Sequence, residues 1–298
     1  SDDMKKILVL GGTRFFGQKL VELLLEQKHE VTIVTRGVSE NPFGDAVEHI
    51  KVDRKDKAAF EQALESRTFD IVYDNICYSP NEAKQLCDIF NGNIGKLVFT
   101  STLATYEADG KPHEEVDFDP TSYEIVMGET HEFSYGEGKR LAEAVFYRFA
   151  DFPVVAVRFP IVMGADDYTR RLHFHIERIV NNEPIGFSNM DAEMSFIQAT
   201  EAARFLMWAG MENVEGPINA TANGVIALKD LISLIEEKTG ERAKIALLGT
   251  EEIRSPYAIP ASWYMKNDKS QQLGFKFSHI DDWLPQLVEE IAKSTPKQ

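Results

Sequence analysis

The chain has 298 residues, which predicts about two domains and a core that needs no disulfide or metal to hold it. It carries 48 acidic and 32 basic residues, a net charge of −16. That balance argues against a general nucleic-acid or membrane-surface binder, because contacts to phosphates need a basic face. Ten of the acidic residues lie in the segment 107–137, where Lys111 is the only lysine or arginine.

The two cysteines, Cys77 and Cys87, are too few for a disulfide framework and form no Cys-x-x-Cys pair. The first residues lack the apolar stretch and cleavage site of a signal peptide. These features favour a reducing, cytoplasmic location. No run of about 18 apolar residues is present, so we expect no membrane-spanning segment and no membrane partner.

Short apolar runs alternate with amphipathic segments in the first half of the chain. The predicted strands are Lys6–Leu10, Glu30–Thr35, Phe69–Tyr73, Lys96–Thr100 and Pro153–Phe159, and the predicted helices are Phe16–Gln27, Ala58–Ser66, Asn81–Phe90 and Tyr135–Phe149. Strands that alternate with helices form a parallel sheet with helices on both faces. The fold class is therefore α/β, with a doubly wound parallel sheet.

The alternation becomes irregular after Phe159. The predicted helices are Leu172–Val180, Thr200–Met211, Leu228–Gly240 and Ser278–Ala292, and the predicted strands are Pro184–Phe187 and Pro217–Ala220. We expect residues 1–160 to form the sheet domain and residues 161–298 a smaller α/β cap that binds the substrate. Residues 194–212 are expected to return to the sheet domain.

A glycine-rich turn joins the first strand to the first helix. Its residues Gly11, Thr13, Arg14, Phe15, Phe16 and Gly17 are candidates for binding a dinucleotide. Glycines let the backbone approach a pyrophosphate, and a helix N-terminus offers free N–H groups and a positive dipole end. An ordinary strand-to-helix turn has the same spacing. Arg14 replaces a middle glycine and adds a cation near the phosphates, although it also fits a surface arginine.

The end of the second strand bears on the choice between NAD and NADP. An acidic residue at this point binds the ribose of NAD, but the sequence reads Thr35-Arg36-Gly37. Arg36 can pair with a 2′-phosphate through two hydrogen bonds, so NADP is favoured and NAD stays possible; a plain loop arginine is the alternative. Asp53 and Arg54 are further cofactor candidates, with Asp53 at an adenine edge, although Asp53 equally fits a helix cap.

A Tyr-x-x-x-Lys pair, Tyr135 and Lys139, lies on one face of a predicted helix. A lysine ammonium favours the charged form of a neighbouring phenol, which suits Tyr135 to general acid or base catalysis. The pair is common by chance, but here it follows a strand that ends in hydroxyl residues, among them Thr100 and Thr102.

Together these motifs resemble the extended and atypical short-chain dehydrogenases/reductases, the superfamily of nucleotide-sugar epimerases and dehydratases, over essentially the whole chain. The segments that carry the similarity further are Phe99–Tyr106, Arg158–Gly164, Phe196–Arg204 and Pro217–Leu228. The Gly-Gly-Thr-Arg-Phe turn with Thr-Arg-Gly is similar to a branch that includes chloroplast stem-loop RNA-binding proteins and isoflavone-reductase-like bacterial proteins. Ile161 and Met163 stand where the family has asparagine and tyrosine, so the nucleotide-sugar side departs from its pattern.

The resemblance implies a Rossmann-type fold with Thr102, Tyr135 and Lys139 as the catalytic residues. It adds Thr100, Tyr135, Lys139 and Pro160 to the cofactor contacts. It also implies a homodimer through the helices Asn81–Phe90 and Tyr135–Phe149, although burial in their own core would explain the same apolar stripe. The segment 107–137 then borders the active-site mouth, where we expect a negative rim.

Three functions remain open. The first is an NADP-dependent oxidoreductase or epimerase/dehydratase-like enzyme that acts on a small hydroxyl or carbonyl compound or a nucleotide sugar. The second is a non-enzymatic NADP-binding regulator or RNA-binding protein, which the net charge opposes. The third is a nucleotide-sugar epimerase with tightly held NAD.

Two further clusters have competing interpretations. Arg170, Arg171 and Arg178 could bind an anionic substrate group or pair with the acidic segment. His173 and His175 lack an evident third ligand, so no metal site is predicted.

Overall fold

The structure is a computed structural model that describes residues 3–247 and 249–298. Its strands are β1 Lys6–Leu10, β2 Glu30–Thr35, β3 Glu48–Lys51, β4 Phe69–Asp74, β5 Ile94–Thr102, β6 Pro112–His113, β7 Val154–Phe159, β8 Ile161–Met163, β9 Pro184–Phe187, β10 Glu193–Met194, β11 Phe196–Gln198, β12 Gly216–Asn219, β13 Ile226–Ala227, β14 Lys244–Leu247 and β15 Tyr264–Met265. Its α-helices are α1 Phe15–Glu26, α2 Lys57–Leu64, α3 Pro80–Phe90, α4 Tyr135–Phe149, α5 Arg171–Val180, α6 Ala199–Met211, α7 Leu228–Thr239, α8 Asp268–Gln272 and α9 Leu284–Lys293.

A parallel sheet of seven strands organises the molecule, in the order β3-β2-β1-β4-β5-β7-β12. The apolar side chains of β1 alternate between its faces, since Ile7 and Val9 pack in one core and Leu8 and Leu10 in another. Helices α1 and α6 cover the first face, and α2, α3 and α4 cover the second. This arrangement confirms the predicted Rossmann-type α/β fold.

A third hydrophobic core lies in the C-terminal part of the chain, where α5, α7 and α9 pack against one another. Ile176, Ile235 and Val288 contribute one buried side chain from each helix. Helix α6 lies in the segment predicted to return to the sheet domain, and it packs on α1 with Phe205 in the core of the sheet. The domain boundary at residue 160 stays a prediction.

The structure adds several short elements that were not predicted, namely β6, β8, β10, β11, β13, β14, β15 and α8, and three further differences concern the main sheet and the last helix. Strand β3 extends the sheet beside β2, where the sequence showed only a short apolar run. Strand β12, predicted within the cap, pairs with β7 in the main sheet. The helix predicted from Ser278 begins at Leu284, because Ile280–Asp282 forms a separate 3₁₀ turn whose ends His279 and Asp282 cap each other.

Helices α3 and α4, through which the resemblance implies a homodimer, pack against each other within the chain. The homodimer stays a prediction. Among the described residues, no helix combines the length and the hydrophobicity needed to cross a bilayer.

Candidate active site

The glycine-rich turn brings α1 close to the carboxyl ends of β1 and β4. Gly11 has a φ of +80°, and a Cβ on Gly17 would lie 2.5 Å from the carbonyl oxygen of Gly11, so the turn depends on both glycines. Arg14 is the N-cap of α1, and no acidic residue occupies the first turn of that helix. The helix therefore presents a positive N-terminus that is free to receive an anion.

A narrow cavity of about 130 Å³ lies against this turn. The predicted cofactor residues that line it are Gly11, Thr13, Arg14, Phe15, Phe16, Gly17 and Arg36. Arg36 is exposed and, within residues 3–247 and 249–298, forms no hydrogen bond or ion pair, so its guanidinium is available to a ligand. The structure thus brings the two glycines and the two arginines, Arg14 and Arg36, to one cavity.

Two other predicted cofactor residues, Asp53 and Arg54, line neither this cavity nor the larger one described in the next paragraph. Asp53 is exposed and accepts a hydrogen bond from the backbone N–H of Lys55 at 2.9 Å. The Arg54 side chain is buried, and its Nη1 lies 2.8 Å from Oδ1 of Asp74. Arg54 also lies 3.7 Å from Glu82, so its charge is compensated inside the fold.

A larger cavity of about 480 Å³ opens beside the carboxyl ends of β5 and β7. The predicted residues that line it are Thr100, Thr102, Tyr135, Lys139 and Pro160. The two cavities share the lining residues Phe15, Phe16, Asn75, Tyr78 and Tyr168. They are therefore neighbouring parts of one cleft, which we call the cofactor cavity and the reaction cavity.

Helix α4 positions the tyrosine–lysine pair. Ser134 caps the helix by accepting a hydrogen bond from the N–H of Glu137, and Tyr135 is the first helical residue. Tyr135 is 58% exposed, whereas Lys139, one turn later, is 1% exposed. The Lys139 Nζ donates to the carbonyl oxygen of Thr100 at 2.7 Å and lies 6.0 Å from the centroid of the Tyr135 ring. The buried ammonium thus links the end of β5 to the exposed phenol.

Gly136, the residue after Tyr135, allows α4 to pack closely against the loop that follows β5. A Cβ on Gly136 would lie 2.5 Å from the carbonyl oxygen of Ala104. Thr102 closes the same loop, because its Oγ1 accepts a hydrogen bond from the N–H of Ala104 at 3.0 Å. The Thr102 hydroxyl hydrogen is left to donate to a ligand in the reaction cavity.

Several residues that line this cleft were not predicted from the sequence. Asn75 follows β4 and accepts a hydrogen bond from the Thr100 hydroxyl at 2.7 Å, and its position after a parallel strand was the available signal. Burial, with the neighbouring Tyr135, raises the pKa of Tyr78. Tyr168 reaches the cleft from the loop before α5, and no local pattern marked it.

Arg170, Arg171 and Arg178 form a basic cluster that, among the described residues, makes no ion pair with the acidic segment. Arg170 pairs with Glu177, and Arg178 lies 3.3 Å from Glu183. Arg171 lies 3.8 Å from Asp167 and also lines the reaction cavity. The cluster is therefore compensated by its own neighbours.

The structure describes the whole acidic segment 107–137, and Tyr135 near its C-terminal end lines the reaction cavity. None of its ten carboxylates lines the cofactor cavity or the reaction cavity. Glu137 pairs with Arg140 and Glu114 with Lys266, while Glu115 lines a separate cavity of about 630 Å³ beside β12. The structure does not place the expected negative rim at the cleft.

His173 and His175 are buried. In the described part of the chain, no three histidine, cysteine, aspartate or glutamate side chains are grouped to hold a metal ion. Cys77 is also buried, and burial raises the pKa of its thiol.

Comparison with known sequences gives one family and one curated relative. The sequence model of the NAD dependent epimerase/dehydratase family matches residues 7–223. The chloroplast stem-loop binding protein of 41 kDa b from Arabidopsis thaliana is 32% identical over 151 residues. That alignment covers 45% of this chain and 39% of the relative, so it spans well under half of that protein.

Solved structures share the fold at low sequence identity. A UDP-N-acetylglucosamine 4-epimerase from Methanobrevibacter ruminantium is 20% identical with a TM-score of 0.74, and the match covers 98% of each chain. A UDP-glucose 4-epimerase from Thermotoga maritima is 18% identical with a TM-score of 0.75, over 97% of this chain and 99% of that one. A UDP-glucose 4-epimerase from Thermus thermophilus, solved with NAD, is 17% identical with a TM-score of 0.71, over 96% and 98%.

Proposed function

The chain belongs to the NAD dependent epimerase/dehydratase family, and from that premise we propose that it is an NADP-dependent enzyme of the short-chain dehydrogenase/reductase type. Its substrate is a small hydroxyl or carbonyl compound or a nucleotide sugar. The observation that carries the proposal is the shared wall of the two cavities. A dinucleotide whose phosphates lie on the glycine-rich turn would extend from the cofactor cavity along these shared residues into the reaction cavity, where Tyr135 lies.

The residues around the cofactor cavity favour NADP over NAD. The tight glycine-rich turn leaves no space for a Cβ at Gly11 or Gly17, and the α1 N-terminus next to it favours negative charge, as a pyrophosphate site requires. Arg36 follows β2, where an NAD-binding chain carries an acidic residue, and its free guanidinium suits a 2′-phosphate. Arg14 adds a second cation on the same cavity. The solved epimerase with NAD leaves NAD as the alternative cofactor.

The reaction cavity divides the proton chemistry among three side chains. The Tyr135 hydroxyl gives a proton to the substrate oxygen during reduction and takes it back during oxidation. The Thr102 hydroxyl donates a hydrogen bond to the same oxygen and orients it. Lys139 donates one N–H to the Thr100 carbonyl oxygen, and its remaining N–H groups would hold the cofactor ribose beside Tyr135. The bound nicotinamide supplies or accepts the hydride.

The substitution Tyr135→Phe tests the activity. We expect kcat to fall by about 10²- to 10⁴-fold, the usual contribution of general acid–base catalysis, on a panel of carbonyl compounds, alcohols and nucleotide sugars supplied with NADPH or NADP. NADPH affinity should change far less than kcat, because the phosphate contacts are remote from the phenol. Undiminished turnover by the variant would refute the assignment.

The Arabidopsis relative is named as a stem-loop binding protein, which makes the binding of a nucleic-acid stem-loop, such as one of RNA, a second candidate. The net charge of −16 opposes it, since RNA affinity comes largely from basic patches. Filter binding of a stem-loop RNA at low salt, with and without NADPH, separates the two functions. Tight, salt-sensitive RNA binding together with no turnover would favour the second.

A further inference from the structure

Tyr78 is a second tyrosine of the cleft. It lies in the loop between β4 and α3, where its backbone N–H donates to Oε1 of Glu82 at 2.9 Å. On the other side, its carbonyl oxygen faces Gly138, where any Cβ would be driven into that oxygen. Gly138, which precedes Lys139 in the Tyr-x-x-x-Lys segment, thus lets α4 pack directly on the Tyr78 backbone.

The Tyr78 ring lies against the Lys139 ammonium. The Lys139 Nζ is 4.6 Å from the centroid of Tyr78 and 4.8 Å from that of Phe99. Within the described residues, Lys139 forms no ion pair, and its hydrogen bond goes to the Thr100 carbonyl. A buried cation without a carboxylate partner depends on such ring faces and on that carbonyl for its stabilisation. Tyr78 therefore supplies part of the environment that holds the Lys139 side chain in place.

The Tyr78 hydroxyl is not used by the fold. Across residues 3–247 and 249–298 it has no hydrogen-bond partner, although the side chain is largely buried. Tyr78 lines both the cofactor cavity and the reaction cavity, and its ring lies 6.5 Å from that of Tyr135. Burial raises its pKa, so the phenol stays protonated and can donate a hydrogen bond throughout the neutral range.

We propose that Tyr78 is a positioning residue of the reaction centre: its ring holds the Lys139 ammonium beside Tyr135, and its hydroxyl donates a hydrogen bond to the nicotinamide half of the cofactor. The inference rests on the proposed function. It goes beyond that proposal because it assigns separate roles to the ring and the hydroxyl of Tyr78. The ring acts through Lys139 on the proton transfer, and the hydroxyl acts on cofactor affinity.

Two substitutions separate the parts. Tyr78→Phe removes the hydroxyl and keeps the ring, so the NADPH Kd should rise about three- to tenfold, the loss of one hydrogen bond, with kcat little changed. Tyr78→Leu removes the ring as well, so kcat should fall by a further two- to thirtyfold, about the range of a cation–π contact. The pH of half-maximal oxidation rate should move upward in Tyr78→Leu and not in Tyr78→Phe.

A third measurement does not need turnover. Lys139 is labelled with pyridoxal 5′-phosphate and borohydride and quantified by mass spectrometry; labelling should rise in Tyr78→Leu and stay at the wild-type level in Tyr78→Phe. If Tyr78→Leu fails to fold, Tyr78→Met replaces it, since it also removes the ring and fills more of the space that the ring occupied. The matched control is Tyr123→Phe, whose hydroxyl bonds Glu137 outside both cavities and which should match the wild type throughout.

Each part can be overturned by itself. Wild-type NADPH affinity in Tyr78→Phe would remove the role of the hydroxyl. Wild-type kcat and wild-type Lys139 labelling in Tyr78→Leu would remove the role of the ring. If the native protein binds NADPH but turns over nothing in the panel, the proposed activity fails, whereas the binding and labelling results still decide the role of Tyr78.

Discussion

The guanidinium of Arg14 lies 3.9 Å from the centroid of the Tyr168 ring. Arg14 caps α1 in the glycine-rich turn, and Tyr168 belongs to the loop between β8 and α5, so the contact ties that loop to the cofactor cavity. Nearby, Lys19 pairs with Asp166 of the same loop at 3.3 Å. The arginine that replaces a family glycine thus has a structural partner as well as access to a ligand.

We expect Arg14→Met to weaken NADPH binding by about ten- to a hundredfold, because hydrogen bonds to charged groups contribute about 1.5–3 kcal/mol. The loss should shrink as salt is raised, since the arginine acts on phosphate charge. Fluorescence titration of NADPH at two salt concentrations measures both effects. Lys19→Met removes a cation that is already paired and should change the affinity less than twofold. Equal affinities for Arg14→Met and wild type would contradict the role.

Arg36 should set the preference between the two dinucleotides. Its side chain is free and lines the cofactor cavity after β2, so Arg36→Leu should reduce NADPH affinity by about tenfold or more while NADH affinity changes little. The ratio of the two Kd values is the measurement, because a general loss of folding would lower both affinities together. A variant that loses NADH and NADPH equally would show that Arg36 does not bind the 2′-phosphate.

The fold and the Tyr135–Lys139 pair were predictable because they depend on local patterns in the sequence. Apolar runs such as Lys6–Leu10 alternate with helices along the chain, and Tyr135 and Lys139 lie one turn apart on a helix whose stripe is evident in the sequence. The resemblance then aligned Thr102 with them. The structure places all three on one cavity.

The missed features depend on contacts between segments far apart in sequence. Arg54 looked available to a cofactor, but it pairs with Asp74, twenty residues away and buried with it. Tyr168 stacks on Arg14 from a loop of the second half of the chain. The acidic segment looked like a rim because its neighbours in sequence are Thr102 and Tyr135, yet its carboxylates turn to other partners. No local periodicity encodes these long-range pairings.

A buried ion pair behind the site should be costly to break. Arg158 and Glu143 are both fully buried, with Nη2 2.6 Å from Oε1. Glu143→Gln leaves the arginine charge without a carboxylate, so we expect the free energy of unfolding to fall by about 3–5 kcal/mol. Urea denaturation measures it. The control, Asp88→Asn, breaks the exposed pair with Lys84 and should cost less than about 1 kcal/mol; similar losses in the two variants would contradict the prediction.

His175 should make the stability of the fold depend on pH. Its ring is fully buried and lies 4.5 Å from the Tyr257 ring. Its Nδ1 donates to the Arg171 carbonyl at 2.8 Å, which leaves Nε2 to accept the Ser255 hydroxyl. Both nitrogens are thus satisfied in the neutral ring, and burial lowers the His175 pKa to about 4.

The direction of this pH dependence follows from the protons that His175 binds in the folded and unfolded states. Above about pH 6.5 the histidine is neutral in both states and adds no pH dependence. Between about pH 6.5 and pH 4 the unfolded chain binds a proton that the folded chain does not, so stability falls as the pH falls. From pH 7.5 to pH 5.0 this group should contribute a loss of about 2 kcal/mol. Urea denaturation at the two pH values measures the loss, which should be reduced by that amount in His175→Gln and unchanged in the exposed control His131→Gln. The same pH dependence in wild type and His175→Gln would show that the ring does not stay neutral in the folded protein.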